Sequence, residues 1–258
     1  MAWKRLPRRL GHGEEASLVE HLGELRTRIL IALAALAVGF VVTFIFHEQL
    51  IEWLTAPLPD DKRLVTLGVT EPFYTAIKVS LYGAFALALP VLLYQLWSFM
   101  APAIEENIQR VVSVFVVIAT ALFAGGLAFA YFVILPRAVT FLTEFDDELY
   151  DVQIRASYYY SFVSLALVGM ALVFEMPIFI LALVRLRVLT ADRLRSNRRI
   201  GYLSTLVAAI LLPTVDPVSL ALEVIPLVIL FEVSIWLSVL MERRWELDVE
   251  EDWATSEL

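Results

Sequence analysis

The sequence predicts an all-α integral membrane protein with six spanning helices, and three observations carry that expectation. Of its 258 residues, 60% are hydrophobic and only 19% charged, and the mean hydropathy is +0.76; soluble chains are about half apolar and a quarter charged. The apolar residues gather into runs long enough to cross a membrane, which takes about 20 residues for a core of about 30 Å. The arginines and lysines alternate in density from one connecting segment to the next, as they do when basic loops stay on the cytoplasmic side.

Four runs meet the length requirement: 29–46, 76–99, 111–135 and 158–184. The first is too long for a signal-peptide core and has no small-residue cleavage site behind it, so it reads as an uncleaved helix. The remaining apolar stretch, 200–241, is divided by the turn signal PTVDP at 213–217. That gives a fifth and a sixth helix, both expected to be shorter. Between Arg199 and Pro213 there are about 13 residues, a rise of only ~20 Å as a helix. Helix five therefore ends inside the membrane or thins the bilayer around it; the alternative is a re-entrant half-helix.

Basic residues test the count. Lys4, Arg5, Arg8, Arg9, Arg26 and Arg28 precede helix one, Arg110 lies between two and three, six arginines from Arg185 to Arg199 lie between four and five, and Arg243 and Arg244 follow six. The alternate loops hold Lys62, Arg63, Arg137 and Arg155 beside the acidic cluster EFDDELYD. Both termini are then cytoplasmic, which requires an even number of crossings. The expected organisation is one polytopic domain: a cytoplasmic segment 1–28 with an amphipathic helix, a six-helix bundle 29–241, and an acidic cytoplasmic tail 242–258. No internal repeat of 20 to 50 residues is evident. The first outside loop, amphipathic around Ile51 to Leu54, is expected to form a cap of short helices at the interface, or else a plain connector.

Four acids lie in or beside the apolar runs: Glu175, Asp216, Glu223 and Glu232. A charge at the bilayer centre costs from ~3 to more than 10 kcal/mol unless it faces protein or water or is neutralised, so such residues are functional candidates. The plain alternative for Glu175 is a neutral carboxyl, hydrogen-bonded near backbone freed by Pro177. Chemistry is disfavoured. The chain has no cysteine, its three histidines (His12, His21 and His47) are scattered, and no HExxH, GxSxG or glycine-rich phosphate loop occurs. No enzyme activity, metal or cofactor is expected. The net charge of -8 argues against nucleic acid. A proton-coupled transporter with Glu175 as its proton site is the competing class, but it calls for several broken helices and only helix five is short.

The residues themselves resemble the TatC family, the multispanning subunit of the twin-arginine protein translocase. The likeness runs collinearly from Ser17 to Arg244: HLGELRTR at 21–28, TAPL at 55–58, TEPF at 70–73, LPVLLYQLWSFMAPA at 89–103, FAYFVILP at 129–136, SYYYSFV at 157–163, VFEMPI at 173–178, LPTVDPVS at 212–219 and IPLVILFE at 225–232. Pro57, Pro72 and Phe73 fall on its outside-loop markers. The resemblance implies a concave, glove-like bundle in the cytoplasmic membrane. It implies a receptor and core that binds twin-arginine signal peptides and exports folded proteins on the proton-motive force, with TatA-type and TatB-type single-span partners and in an oligomeric receptor complex.

In that family the amino-terminal segment and the loop between helices two and three recognise the arginine pair. Glu24 and Arg26 match the first segment; Phe99 and Pro102 match the second. A guanidinium fork takes a carboxylate bidentately, so two arginines need at least two acceptors. The chain departs from the pattern here: the second carboxylate aligns with Ile108, and Glu105 or Glu106 is expected to replace it. Glu24 also stands four residues before Arg28, a spacing worth a few tenths of a kcal/mol as a helical pair. Ser17 and Glu20 form a capping-box pattern. A second departure is Leu220, where the family often has an amide; Glu223, one turn on, is expected to supply that polar contact to a partner helix, or else to reach the interface. Glu175 matches the polar residue of the concave face, with Gln95 as its expected companion.

Overall fold

The computed structural model describes residues 18–59, 61–100, 108–145, 149, 153–186, 188–214 and 216–256, and the side chains of these except for 18–21, 100, 108–112 and 243–256. Every long apolar run is helical. Backbone N–H and C=O groups have no water to bond in hydrocarbon, and a helix satisfies them within one segment. The elements in order are α1 (Leu18–Ile45), α2 (His47–Thr55), β1 (Leu64–Val65), α3 (Glu71–Met100), α4 (Ile108–Phe129), a π-helical turn (Ala130–Ile134), α5 (Leu135–Glu144), β2 (Ile154–Arg155), α6 (Ala156–Phe174), α7 (Met176–Arg185), α8 (Ala191–Ser196), α9 (Arg198–Ile210) and α10 (Pro217–Ser256).

Five helical stretches among the described residues, not six, are long and apolar enough to cross a membrane: Leu22–Ile45, Glu71–Phe99, Ser113–Glu144, Ala156–Arg185 and Pro217–Glu242. The expected fifth helix exists as α9, but it has 13 residues and rises ~20 Å. The sixth is not short. Proline is well placed at the first turn of a helix, so Pro217 opens α10, which then runs 40 residues to Ser256, with Pro226 inside it. The acidic tail is thus, as far as Ser256, a continuation of the last helix.

The third run also extends past its expected end at Leu135. Pro136 lacks an N–H and its ring crowds the carbonyl four residues back, which ordinarily ends a helix. Here the π-helical turn widens the backbone just ahead of it and the helix resumes as α5. The fourth run is interrupted at Glu175, the C-cap of α6 and the N-cap of α7, with Pro177 in the first turn of α7. This α6–α7 rod is the centre of the bundle: 61% of its most apolar stretch is buried, against 11% for α1.

The core has two main parts. One gathers Tyr159, Val163 and Met170 of α6 with Val79 of α3, Leu135 of α5 and Leu227 of α10. The other sets Leu93 and Trp97 of α3 against Phe115 and Phe123 of α4 and Ile178 and Leu181 of α7. Helices α4 and α6 approach closely at Gly126, where a Cβ would lie 2.7 Å from the Cα of Ala171. Small residues at such crossings are the usual means of packing helices in lipid, where apolar burial gives little driving force.

The first interhelical loop is ordered rather than a plain connector. α2 covers the amphipathic stretch read from the sequence, and its last carbonyls, which a helix end leaves without internal partners, are taken by tyrosines of the other spans. Tyr131 donates to the Trp53 carbonyl (2.9 Å), Tyr159 to the Leu54 carbonyl (3.0 Å), and the Tyr160 hydroxyl meets Thr55 Oγ1 at 2.8 Å. β1 and β2 pair in parallel, Leu64 with Ile154 and Val65 with Arg155, joining the two loops at this end.

Candidate functional site

At the end opposite α2 stand the start of α1 and the end of α3. Their antiparallel register is fixed by two contacts: Thr43 Oγ1 donates to the Ser80 carbonyl (2.7 Å), and Gly39 lies against Ala84, leaving a Cβ only 3.0 Å from its carbonyl oxygen. In this antiparallel packing Glu24, near the start of α1, and Phe99, near the end of α3, lie at the same end of the bundle. Both side chains are half-buried and Arg26 is exposed. Glu24 accepts from Arg28, with the Nε at 3.1 Å and a second bond from the same guanidinium, so the helical pair read from the sequence is made. Pro102, Glu105 and Glu106 lie outside the described residues, as do Ser17 and the Glu20 side chain.

Glu175 is fully buried at the α6–α7 junction, and neither carboxylate oxygen has a hydrogen-bond partner. Gln95, its expected companion, is half-buried on α3 and is not bonded to it, and the alternative bond to backbone near Pro177 is not made. Glu175 stands at the junction of α6 and α7, where its backbone caps the end of one helix and the start of the next.

Asp216 and Glu223 lie together at the start of α10. Asp216 is 2% exposed and its Oδ1 accepts from the Ser219 N–H at 2.7 Å, the geometry of an N-terminal cap ahead of Pro217. Glu223 is 1% exposed and accepts from the Thr214 hydroxyl. Glu223 therefore points into the bundle rather than onto its surface. One oxygen of each carboxylate, Asp216 Oδ2 and Glu223 Oε2, has no partner. Glu232, two turns further on, clamps α9: it accepts from Tyr202 and pairs with Arg198 at 3.1 Å. Thr214, Tyr202 and Arg198 were not singled out from sequence; a threonine beside a turn and a tyrosine in an apolar run carry no local signal of the acid they meet.

Two of the outside-loop markers, Pro72 and Phe73, adjoin a residue that the sequence reading passed over. Pro72 and Phe73 are exposed and Pro57 is half-buried, while their neighbour Glu71 is 6% exposed. Its Oε2 accepts from the Leu67 N–H (2.9 Å); its Oε1 accepts from Arg155 Nε (2.9 Å) and the Ser157 N–H (3.2 Å). The hydrogen bond to the Glu71 carboxylate holds the Arg155 pKa above the ordinary guanidinium value. The guanidinium also lies 5.2 Å over the Tyr158 ring. No group of three or more potential metal ligands occurs among the described residues.

The family model of the Sec-independent protein translocase protein (TatC) matches residues 20–226. The chain is 34% identical over 231 residues to TatCd of Bacillus subtilis strain 168, covering 90% of this chain and 95% of that protein. It is 36% identical over 233 residues to TatC of Aquifex aeolicus strain VF5, covering 88% and 96%. The fold is similar to a crystal structure of the twin arginine translocase receptor TatC in DDM, with a TM-score of 0.75 at 34% identity over 84% of this chain and 99% of that one. A multispanning helical bundle, nine collinear motifs and matches across nearly the whole chain agree: the chain belongs to the TatC family of Sec-independent protein translocase proteins.

Proposed function

We propose that this chain is the signal-peptide receptor and core of a twin-arginine translocase, beyond the general part in Tat-dependent translocation that its family carries. The observation that supports this most is that Glu24 and Phe99 stand at the same end of antiparallel α1 and α3, since the two motifs that hold them are far apart in sequence and fall on the family's two recognition segments. Glu24 and one of Glu105 or Glu106 are the acceptors for the two arginines of the signal peptide, in a site that Arg26, Phe99 and Pro102 line. Carboxylates suit that cargo because each guanidinium brings a planar pair of donors.

In this reading both termini are cytoplasmic, and α9 is the sixth crossing, through a bilayer thinned to match its ~20 Å. Residues 1–28 and 242–258 then flank the bundle on the cytoplasmic side. The buried acids Glu175, Asp216 and Glu223, with half-buried Gln95, lie beneath a concave membrane face, on which single-span TatA-type and TatB-type partners engage in an oligomeric complex. The proton-motive force drives passage of the folded cargo.

Co-purification tests this. A precursor carrying a twin-arginine signal is expected to be retained by the membrane-embedded chain and lost when its RR pair becomes KK. Photocrosslinking from positions 24, 105 and 106 identifies the acceptor; normal export by both Glu105→Gln and Glu106→Gln would remove those two from it.

A further inference from the structure

At the end of the bundle that carries α2, the segment just before α3 leaves five successive positions, 66–70, exposed. Leu67 is 72% exposed and Val69 101% exposed, with Gly68 between them. A loop tip that bares two aliphatic side chains so fully is costly in water, because each buried methylene is worth ~0.8 kcal/mol of transfer free energy. The shape is imposed rather than incidental. Glu71 accepts from the Leu67 N–H and its own N–H bonds the Gly68 carbonyl at 3.1 Å. Arg155 and Ser157 hold the same carboxylate from the other loop.

The exposed tip continues an exposed stripe. On α3, Phe73 (60%), Tyr74 (60%), Lys78 and Leu81 (58%) share the outer face, while Thr75, Ala76, Val79 and Ser80 are buried behind it. This is the lipid-facing side of a spanning helix, and it fixes depth. A lysine on such a face extends its ammonium to the headgroups, and aromatic rings collect at the same level. Tyr74 stands one turn, ~5 Å, beyond Lys78. The boundary of the hydrocarbon therefore passes near Tyr74, and Leu67 and Val69 fall in the headgroup layer, which is about 5–8 Å deep.

We propose that Leu67 and Val69, with Phe73 and Tyr74, form an interfacial lipid anchor. The loop tip dips into the headgroup region of the leaflet at the α2 end, and the Glu71–Arg155 pair holds it at that angle. The occupant is the phospholipid surface, because the tip is continuous with the lipid-facing stripe and carries a lysine and two aromatic rings at the depths a bilayer dictates.

The chain has no cysteine, so single replacements give unique labels without competing thiols. Val69→Cys, Asp61→Cys and Leu81→Cys are labelled with an environment-sensitive nitrobenzoxadiazole and placed at low density in vesicles of phosphatidylcholine and phosphatidylglycerol, some with bromine on the upper acyl chain. Asp61, exposed in the same loop, serves as the water reference and Leu81 as the lipid reference. The expected result is a blue-shifted label at 69, quenched by brominated lipid several-fold more than the label at 61 and less than the label at 81. Equal quenching at 69 and 61, with equal access to aqueous iodide, overturns the proposal. So does shielding at 69 that lipid bromine does not quench and that disappears on dilution of protein in lipid, because the occupant is then a second copy.

Discussion

Glu71 and Arg155, 84 positions apart in sequence, meet at 2.9 Å where the two interhelical loops of the α2 end come together. A carboxylate at the first turn of α3 is favoured there by the helix dipole. Its three partners, the Leu67 N–H, Arg155 and the Ser157 N–H, tie the entry of α3 to the entry of α6. Glu71→Gln removes the charge while keeping an acceptor and one shape. Hydrogen exchange at Leu67 and Ser157 is expected to speed up by about tenfold or more, since hydrogen bonds to charged groups are the stronger class. Arg155→Ala is expected to do the same at Ser157. Unchanged exchange in both variants contradicts the joint.

The α2 cap rests on three hydroxyls. Tyr159→Phe removes the donor to the Leu54 carbonyl and keeps the ring; Tyr131→Phe does so at Trp53, where the two rings also stack with centroids 4.5 Å apart. Each variant is expected to lose about 1 kcal/mol of stability, measured as unfolding in detergent. Protease sensitivity in 47–59 should rise in parallel. The ring stack at Trp53 persists in Tyr131→Phe, so Tyr131→Ala is expected to cost more.

Two adjacent glycines make a controlled comparison. A Cβ at Gly126 meets the Cα of Ala171 at 2.7 Å and the Cβ of Phe174 at 2.9 Å, while a Cβ at Gly125 meets nothing within 4 Å. Gly126→Ala is expected to destabilise by about 1–3 kcal/mol through overpacking. Gly125→Ala is expected to be neutral or to gain up to ~1 kcal/mol from helix propensity. Thermal unfolding of the two variants side by side checks this, and equal behaviour of both contradicts the α4–α6 contact.

Glu223 depends on Thr214. Thr214→Val leaves a buried carboxylate with no donor and is expected to cost about 1–3 kcal/mol, whereas removing both partners of a buried bond is closer to neutral. Thr214→Val with Glu223→Leu should therefore unfold nearer to the parent chain than Thr214→Val alone. Glu223→Gln keeps an acceptor for the hydroxyl and is expected to stay close to the parent. A double variant less stable than either single change contradicts the pairing.

What the sequence disclosed follows from the range of the forces involved. Five of the six expected spans were legible because a run of about 20 apolar residues is a local property. The shortness of α9 was legible from Arg199 and Pro213, and the α2 cap from Ile51 to Leu54. The length of α10 was not, since nothing in 242–256 breaks a helix and composition alone marks it as a solvated tail. The π-helical turn ahead of Pro136 was not legible either, because proline signals a break and the bundle around it repairs one. The site shows the same division. Glu24 and its pairing with Arg28 could be read at a spacing of four, whereas its place at the same end as Phe99 came from the antiparallel packing of α1 on α3 through Gly39 and Thr43. The inward direction of Glu223, the Arg198–Glu232–Tyr202 clamp and the Glu71–Arg155 joint all link residues on different elements, which one strand of sequence does not encode locally.

The central claim is that this chain reads an arginine pair with Glu24. Glu24 and Arg28 are a partly exposed helical pair, so Glu24→Gln is expected to change stability by no more than about 0.5 kcal/mol. Its effect on binding is expected to be larger, because a charge-assisted, bidentate acceptor is lost. The most direct measurement is the affinity of a fluorescent signal peptide, RR against KK, for the purified chain in nanodiscs, before and after Glu24→Gln. The account predicts RR binding at least about tenfold tighter than KK, and a difference that shrinks by about tenfold in Glu24→Gln. Equal affinities for RR and KK in the parent chain would contradict it.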